Sequence, residues 1–210
     1  MGITTLCLFA SWGLNVSAAT IKEENIAYNQ SLAIQSNAID NWPTGPVISA
    51  ESAILIDADT GAILYAKNIH QKEYPASTTK ILTTLIASER CSMDEIVDFS
   101  YDAVHDIDPG SNHIAIDPGE QLTMEECLNA ILIRSANEVS FAVAEHISGT
   151  TWQDFGTIMN ERAKELGCVD SHFVNPNGLP NEDHYTSAYD LAMIGKAFFA
   201  NEALCKMTMT

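Results

Sequence analysis

The chain is poor in positive charge: 10 lysines and arginines stand against 28 aspartates and glutamates, a formal net charge of −18. Phosphate binding takes a basic face, so a nucleic-acid partner is excluded, as is electrostatic docking onto an anionic membrane. The acid excess itself reads as a solvated surface that keeps the protein soluble. Of the five cysteines, no two form a C-x-x-C pair, so a cysteine zinc module is not indicated. Cys127, Cys168 and Cys205 stand in apolar helical contexts where a thiol serves as a small hydrophobe, and free thiols are expected. Low-complexity tracts and internal repeats are missing, and a composition 46% hydrophobic is that of a globular protein with one good core.

Long apolar runs are missing too. Ile3 to Val16, which includes Cys7, carries no charge, but a bilayer takes about 20 apolar residues. The stretch ends in Val16-Ser17-Ala18-Ala19, which suits the core and cleavage site of an export leader over residues 1–19, although no basic residue precedes it. Residues 20–49, with Asn41-Trp42-Pro43-Thr44-Gly45-Pro46, read as a linker into a domain spanning 50–210.

What is present is a serine one turn before a lysine. Pro75-Ala76-Ser77-Thr78-Thr79-Lys80 runs into Ile81-Leu82-Thr83-Thr84-Leu85-Ile86-Ala87, which predicts a helix from Ser77 to Glu89. Residues at i and i+3 share a helical face, so the Lys80 amine can reach the Ser77 hydroxyl. A desolvated neutral lysine is one base that can activate a serine, and a helix N-terminus favours a developing oxyanion. Ser-x-x-Lys alone is a weak signal, since it also describes a capping serine beside a solvated lysine. A proline-led entry and a long apolar run raise its weight.

Around it, Ala53–Asp57 and Ala62–Ala66 flank an Asp- and Gly-bearing turn and predict a β-hairpin. Asp94 to Gln121 reads as loop, with turns at Asp108-Pro109-Gly110 and Asp117-Pro118-Gly119. Thr123-x-x-Glu126 is a capping box opening a helix to Ile133. Further helices are expected over Asn137–Ile147, from Thr151 to Leu166, and over Thr186–Ala200. Ser135-Ala136-Asn137 falls between two of them, either as ordinary caps or as a loop presenting a hydroxyl and an amide to a cleft. His105, Asp106, Asp108 and His113 sit among Pro/Gly turns and read as a solvated loop, not a metal site. His184 and Asp190 read as a helix entry packing the body, not as partners of a catalytic triad.

Ser-x-x-Lys followed by Ser-x-Asn is a combination shared by penicillin-binding proteins and class A β-lactamases. From about Trp42 onward the chain resembles the serine D-alanyl-D-alanine carboxypeptidases, the low-molecular-mass penicillin-binding proteins. The resemblance is carried by Ala53–Asp57 with Thr60-Gly61, Tyr74–Lys80, Pro118–Thr123, Ser135–Asn137, Phe173–Leu179 and His184–Ala192. It implies an α+β, β-lactamase/transpeptidase-like fold, an antiparallel sheet with a large helical subdomain. By resemblance, Ser77 is the acylated nucleophile, Lys80 its base, Ser135 a proton relay to the leaving D-alanine, and Asn137 a holder of the substrate amide. The implied partners are a peptidoglycan stem peptide ending in D-Ala-D-Ala and β-lactams that mimic it, in the cell envelope outside the cytoplasmic membrane, with no cofactor or metal. Ala136 argues against a class A β-lactamase, where aspartate is usual.

The family's third motif, Lys-Thr-Gly on a strand lining the cleft, is not in the sequence: none of the seven lysines is followed by Thr-Gly. The later sheet strands and any membrane-associating segment are expected to be missing with it. The chain therefore reads as a partial carboxypeptidase, with a catalytically incomplete peptidoglycan-binding remnant as the second reading.

Overall fold

The computed structural model describes residues 18–209, so all of the leader reading but Ala18 and Ala19 lies outside the described residues. The predicted hairpin forms as β1 (Ala53–Ile56) and β2 (Ile63–Lys67), antiparallel, with Ala53 opposite Lys67 and Leu55 opposite Tyr65. Its turn is built by Asp57, whose side chain accepts from both the backbone N–H and the hydroxyl of Thr60. Gly61 supplies a φ of +75° there, a left-handed conformation that glycine adopts without steric cost.

The segment read as a linker is ordered by that hairpin. Most of α1 (Ala18–Ser31) and a 3₁₀ turn at Gln35–Ala38 lie in it, and its backbone, with that of Ala50 just beyond, supplies the acceptors for a buried cation. Lys67 Nζ donates to the carbonyls of Asn29 (2.7 Å), Ile48 (3.0 Å) and Ala50 (2.6 Å). The Trp42 indole N–H adds a bond to Leu64 O at 2.9 Å. A buried ammonium without partners is costly, so Lys67 recruits the polar chain that composition alone marks as loose.

The helical body is organised around α2 (Lys80–Arg90), which is buried on most of its circumference. Leu82 and Ile86 join Phe155, Met159, Phe173 and Ile194 in one apolar cluster. Leu85 and Ala87 join Val97, Leu128, Ile131, Val139 and Phe141 in the other. The serine does not open α2 as expected. It lies in a 3₁₀ turn, Ala76–Thr79, ahead of it.

The stretch read as loop contains β3 (Ile96–Asp98), α3 (Tyr101–His105) and β4 (Gln121–Thr123), with β3 and β4 paired antiparallel. The capping box forms as predicted and starts α4 (Met124–Arg134), its Thr123 hydroxyl accepting from Glu126 N–H. α5 (Asn137–Ser148) ends on Gly149 at φ +71°. α6 (Phe155–Glu165) and α7 (Ala188–Ala200) follow, and α8 (Glu202–Met207), not anticipated from the sequence, is capped by Asn201. Cys168 lies beyond the end of α6, not within a helix. Cys91, Cys127, Cys168 and Cys205 are free thiols. No helix among the described residues is long and apolar enough to cross a membrane.

Candidate active site

Ser77 and Lys80 meet as their spacing requires, and the 3₁₀ turn improves the meeting. Such a turn has three residues per revolution, so i and i+3 eclipse each other. Lys80 Nζ lies 3.2 Å from Ser77 Oγ. The turn is held by Thr78 Oγ1 donating to Pro75 O at 2.6 Å and by Thr79 Oγ1 paired with His184 Nε2 at 2.8 Å. Ala76, just before the serine, has φ +47°. A left-handed alanine is held against its preference by its surroundings, a pattern common where geometry serves a function.

Lys80 is 3% exposed, whereas Ser77 is open to solvent. Two further partners complete the amine: Asn137 Oδ1 at 2.8 Å and Asn177 O at 2.8 Å. Both are acceptors only. A neutral amine has two N–H bonds and one lone pair. With both hydrogens given to those two oxygens, the lone pair is left for Ser77, whose hydroxyl can donate into it. Burial pushes the amine down to about 8, while the Glu138 carboxylate pulls it upward. Glu138 is itself buried and accepts the Ile114 N–H at 2.6 Å.

Asn137 stands at the start of α5, held by its own backbone N–H and Nδ2 to Asn112 O at 2.9 and 3.0 Å. The chain reaches it through Ser135, which ends α4 at φ +55°, and Ala136, which is fully buried. Three of the four sequence-predicted residues, Ser77, Lys80 and Asn137, thus converge. Ser135 precedes Asn137 by two residues, and its hydroxyl is buried and makes no hydrogen bond.

In the sequence Asn177 stands only within Phe173–Leu179, one of the stretches that carry the resemblance, with no role attached. Thr83 Oγ1 fastens the Asn175–Leu179 loop to α2 through Pro176 O at 2.6 Å. Gly178 brings the loop against the Ser77 turn: a Cβ there would stand 1.7 Å from Ala76 O. Asn-Pro-Asn-Gly signals a turn, and nothing local in it says where the turn docks. The resulting cavity, about 330 Å³, is lined by Ser77, Ser111, Asn112, Asn137, Asn177 and Leu179 among others. A more apolar cavity of about 350 Å³ shares the Ala76–Gly178 wall and reaches Tyr74 and His184.

The residues set aside as structural have their own partners. His184 Nδ1 accepts the Val174 N–H at 3.1 Å, so its neutral-state proton is on Nε2, directed at Thr79. Burial pushes this imidazole down to about 4, with His172 adding a smaller push. Asp190 accepts from Val169 N, Asp170 N and Ser171 Oγ. His105 stacks on Tyr101, and Asp106 accepts the Trp152 indole N–H.

The D-alanyl-D-alanine carboxypeptidase family model, peptidase S11, matches residues 39–210. DacF of Bacillus subtilis, a D-alanyl-D-alanine carboxypeptidase, is 42% identical over 163 residues, 77% of this chain and 42% of that protein. DacD of Salmonella typhimurium is 33% identical over 184 residues, 84% of this chain and 47% of that protein. Penicillin binding protein 6B from Escherichia coli superposes with a TM-score of 0.75 at 32% identity, covering 80% of this chain and 56% of that one. The chain spans about half the length of the curated relatives it matches, and its helices and small antiparallel sheets form part of the transpeptidase-like fold. On these matches, together with the Ser77–Lys80–Asn137 convergence, the chain belongs to the D-alanyl-D-alanine carboxypeptidase family, peptidase S11.

Proposed function

We propose that this chain carries the nucleophile half of a serine D-alanyl-D-alanine carboxypeptidase site acting on peptidoglycan stem peptides outside the cytoplasmic membrane. The observation that supports it is the partner set of Lys80: two fixed acceptors and one hydroxyl. Ser77 passes its proton to the Lys80 lone pair as Oγ attacks the carbonyl of the penultimate D-alanine. The tetrahedral intermediate collapses to an ester on Ser77, and the terminal D-alanine leaves as its amine takes up a proton. Ser135, with a buried hydroxyl and no competing partner, is assigned that second transfer. Asn137 is assigned the substrate amide, its Nδ2 having two hydrogens and one partner, Asn112 O. Water then hydrolyses the ester. A β-lactam acylates Ser77 by the same route, and export to the cell envelope follows from the substrate.

A labelled penicillin is the direct test. Covalent, Ser77-dependent labelling of the purified chain is expected, and labelling retained in Ser77→Ala would end the assignment. A second reading, a peptidoglycan- or penicillin-binding remnant with little turnover, applies to residues 1–210 taken by themselves, in which no lysine is followed by Thr-Gly. Loss of a single oxyanion-hole donor costs about 100- to 1000-fold. Release of D-alanine from a stem pentapeptide separates the two readings: turnover rejects the remnant, and labelling without turnover supports it.

A further inference from the structure

A second group of chemically active side chains lies at the opposite end of α2 from Ser77. Cys91 directly follows α2, Glu95 stands just ahead of β3, and His146 is in the last turn of α5. Eleven residues of α2 at about 1.5 Å each put this group roughly 16 Å from the nucleophile's turn. One donor atom from each residue, a thiol sulfur, a carboxylate oxygen and a ring nitrogen, all lie within 4.8 Å of one another. His146 Nε2 is 3.0 Å from Glu95 Oε2, and the Cys91 sulfur lies within 4.8 Å of both residues' donor atoms. Ser92 N–H donates to the other carboxylate oxygen at 2.6 Å, which turns Oε2 toward the group.

We propose that Cys91, Glu95 and His146 form a site for a zinc-class divalent cation, with water as fourth ligand. One sulfur, one imidazole nitrogen and one carboxylate oxygen suit zinc, whose bonds to them are about 2.3, 2.0–2.1 and 2.0–2.2 Å. A tetrahedron of those dimensions spaces its donors roughly 3.5 Å apart, so the His146–Glu95 pair at 3.0 Å opens slightly while the sulfur moves in by about an ångström at most. All three residues are half-buried, which leaves one side for water. A thiol–imidazole pair disfavours magnesium and calcium, which take oxygen ligands. On loading, the metal–sulfur bond forms as the thiol proton passes to solvent; His146 Nε2 gives up the proton it shares with the carboxylate, the neutral ring keeping its one proton on Nδ1, and the metal replaces that contact. Arg90, the neighbouring cation, is exposed and can turn outward. The bound ion would staple the far ends of α2 and α5, the two helices whose near ends carry Lys80 and Asn137. The proposal stands independently of the serine chemistry.

Cobalt(II) reports a thiolate ligand through a near-ultraviolet charge-transfer band. The tag-free full chain, stripped with chelator and titrated with cobalt(II), is expected to bind one equivalent with that band, and zinc should displace it. Cys91→Ser should lose the band, and His146→Gln and Glu95→Gln should each weaken cobalt binding at least tenfold. Zinc at about 100 times its Kd should raise Tm by roughly 5–10 °C. Absence of the band, or an undiminished band in Cys91→Ser, would overturn the proposal, the latter by assigning the metal to Cys7, Cys127, Cys168 or Cys205. If Cys91→Ser does not fold, the two glutamine variants decide, and unchanged cobalt affinity in both rejects the site.

Discussion

Two lysines are buried to almost the same degree, and their third partners set them apart. Lys67 is 1% exposed and Lys80 3%. Each makes three hydrogen bonds through Nζ. For Lys67 all three partners are backbone carbonyls, which only accept, so the side chain is a fixed donor tying the N-terminal segment to the hairpin. For Lys80 one partner is a hydroxyl on the cavity wall, which can donate. Burial alone does not make a lysine a base. In the proposed function the base comes from leaving the Lys80 lone pair opposite a proton that can move.

The sharpest way to break that contrast is to remove each amine in turn. Lys80→Met is expected to slow penicillin labelling of Ser77 by about 100- to 10,000-fold, the usual worth of a positioned base. Lys67→Met is expected to leave labelling per folded molecule unchanged and to lower the unfolding free energy by roughly 2–4 kcal/mol, since buried carbonyls lose their donors. Urea unfolding beside labelling rates reads both. Equal loss of labelling in two folded variants would remove the distinction.

The next effect is in pH. Below about 8 the Lys80 ammonium predominates, and the neutral fraction falls tenfold per unit. The labelling rate should therefore drop roughly 50-fold from pH 8 to pH 6 and level off above about 9. Lys67→Met should keep the same profile, and a flat rate from pH 6 to 9 would contradict the role given to Lys80.

Gly178→Ala tests whether the Asn177 carbonyl matters for position. The added methyl meets Ala76 O at 1.7 Å and the left-handed φ of +82° strains any other residue. Displacing the loop removes one of the acceptors that orient the amine. About tenfold slower labelling is expected, with a stability loss of roughly 1–3 kcal/mol. Unchanged labelling would show that the carbonyl is dispensable.

The smallest effect concerns His184, whose folded value of about 4 lies below the ordinary 6.5. Above pH 6.5 both folded and unfolded forms are neutral, and the contribution to stability is complete. As pH falls from 6.5 to 4 the unfolded chain takes the proton first, so stability is lost, on the order of 2 kcal/mol. His184→Gln should lack this component, and its deficit relative to the parent chain should narrow between pH 7 and 4.5 in urea unfolding. A constant deficit would assign the acid sensitivity to other groups.

What could be read in advance was local. The Ser77–Lys80 pairing depends on residues three apart, and the Thr123–Glu126 box on one helical turn, so each is written within a few positions. The hairpin needed only an Asp/Gly turn between two apolar runs. β3 and β4 escaped notice because three-residue strands are too short for alternation to register, and their pairing joins Ile96 to Thr123 across an intervening helix. α8 is a single short segment after Asn201, and residues 20–49 look polar because their order comes from Lys67, which lies beyond them.

The sequence by itself determined that a serine and a lysine would share one face ahead of an apolar helix, and that Asn137 would open another, because these are matters of turn geometry and capping. It left Lys80 equally readable as a solvated cation. Only the tertiary structure decided that its amine is buried, that Asn137 and the Asn177 carbonyl take its hydrogens, and that Cys91, Glu95 and His146 meet. Desolvation and the meeting of remote donors arise when helices distant in sequence pack around one core, and no local pattern records which ends that packing brings together.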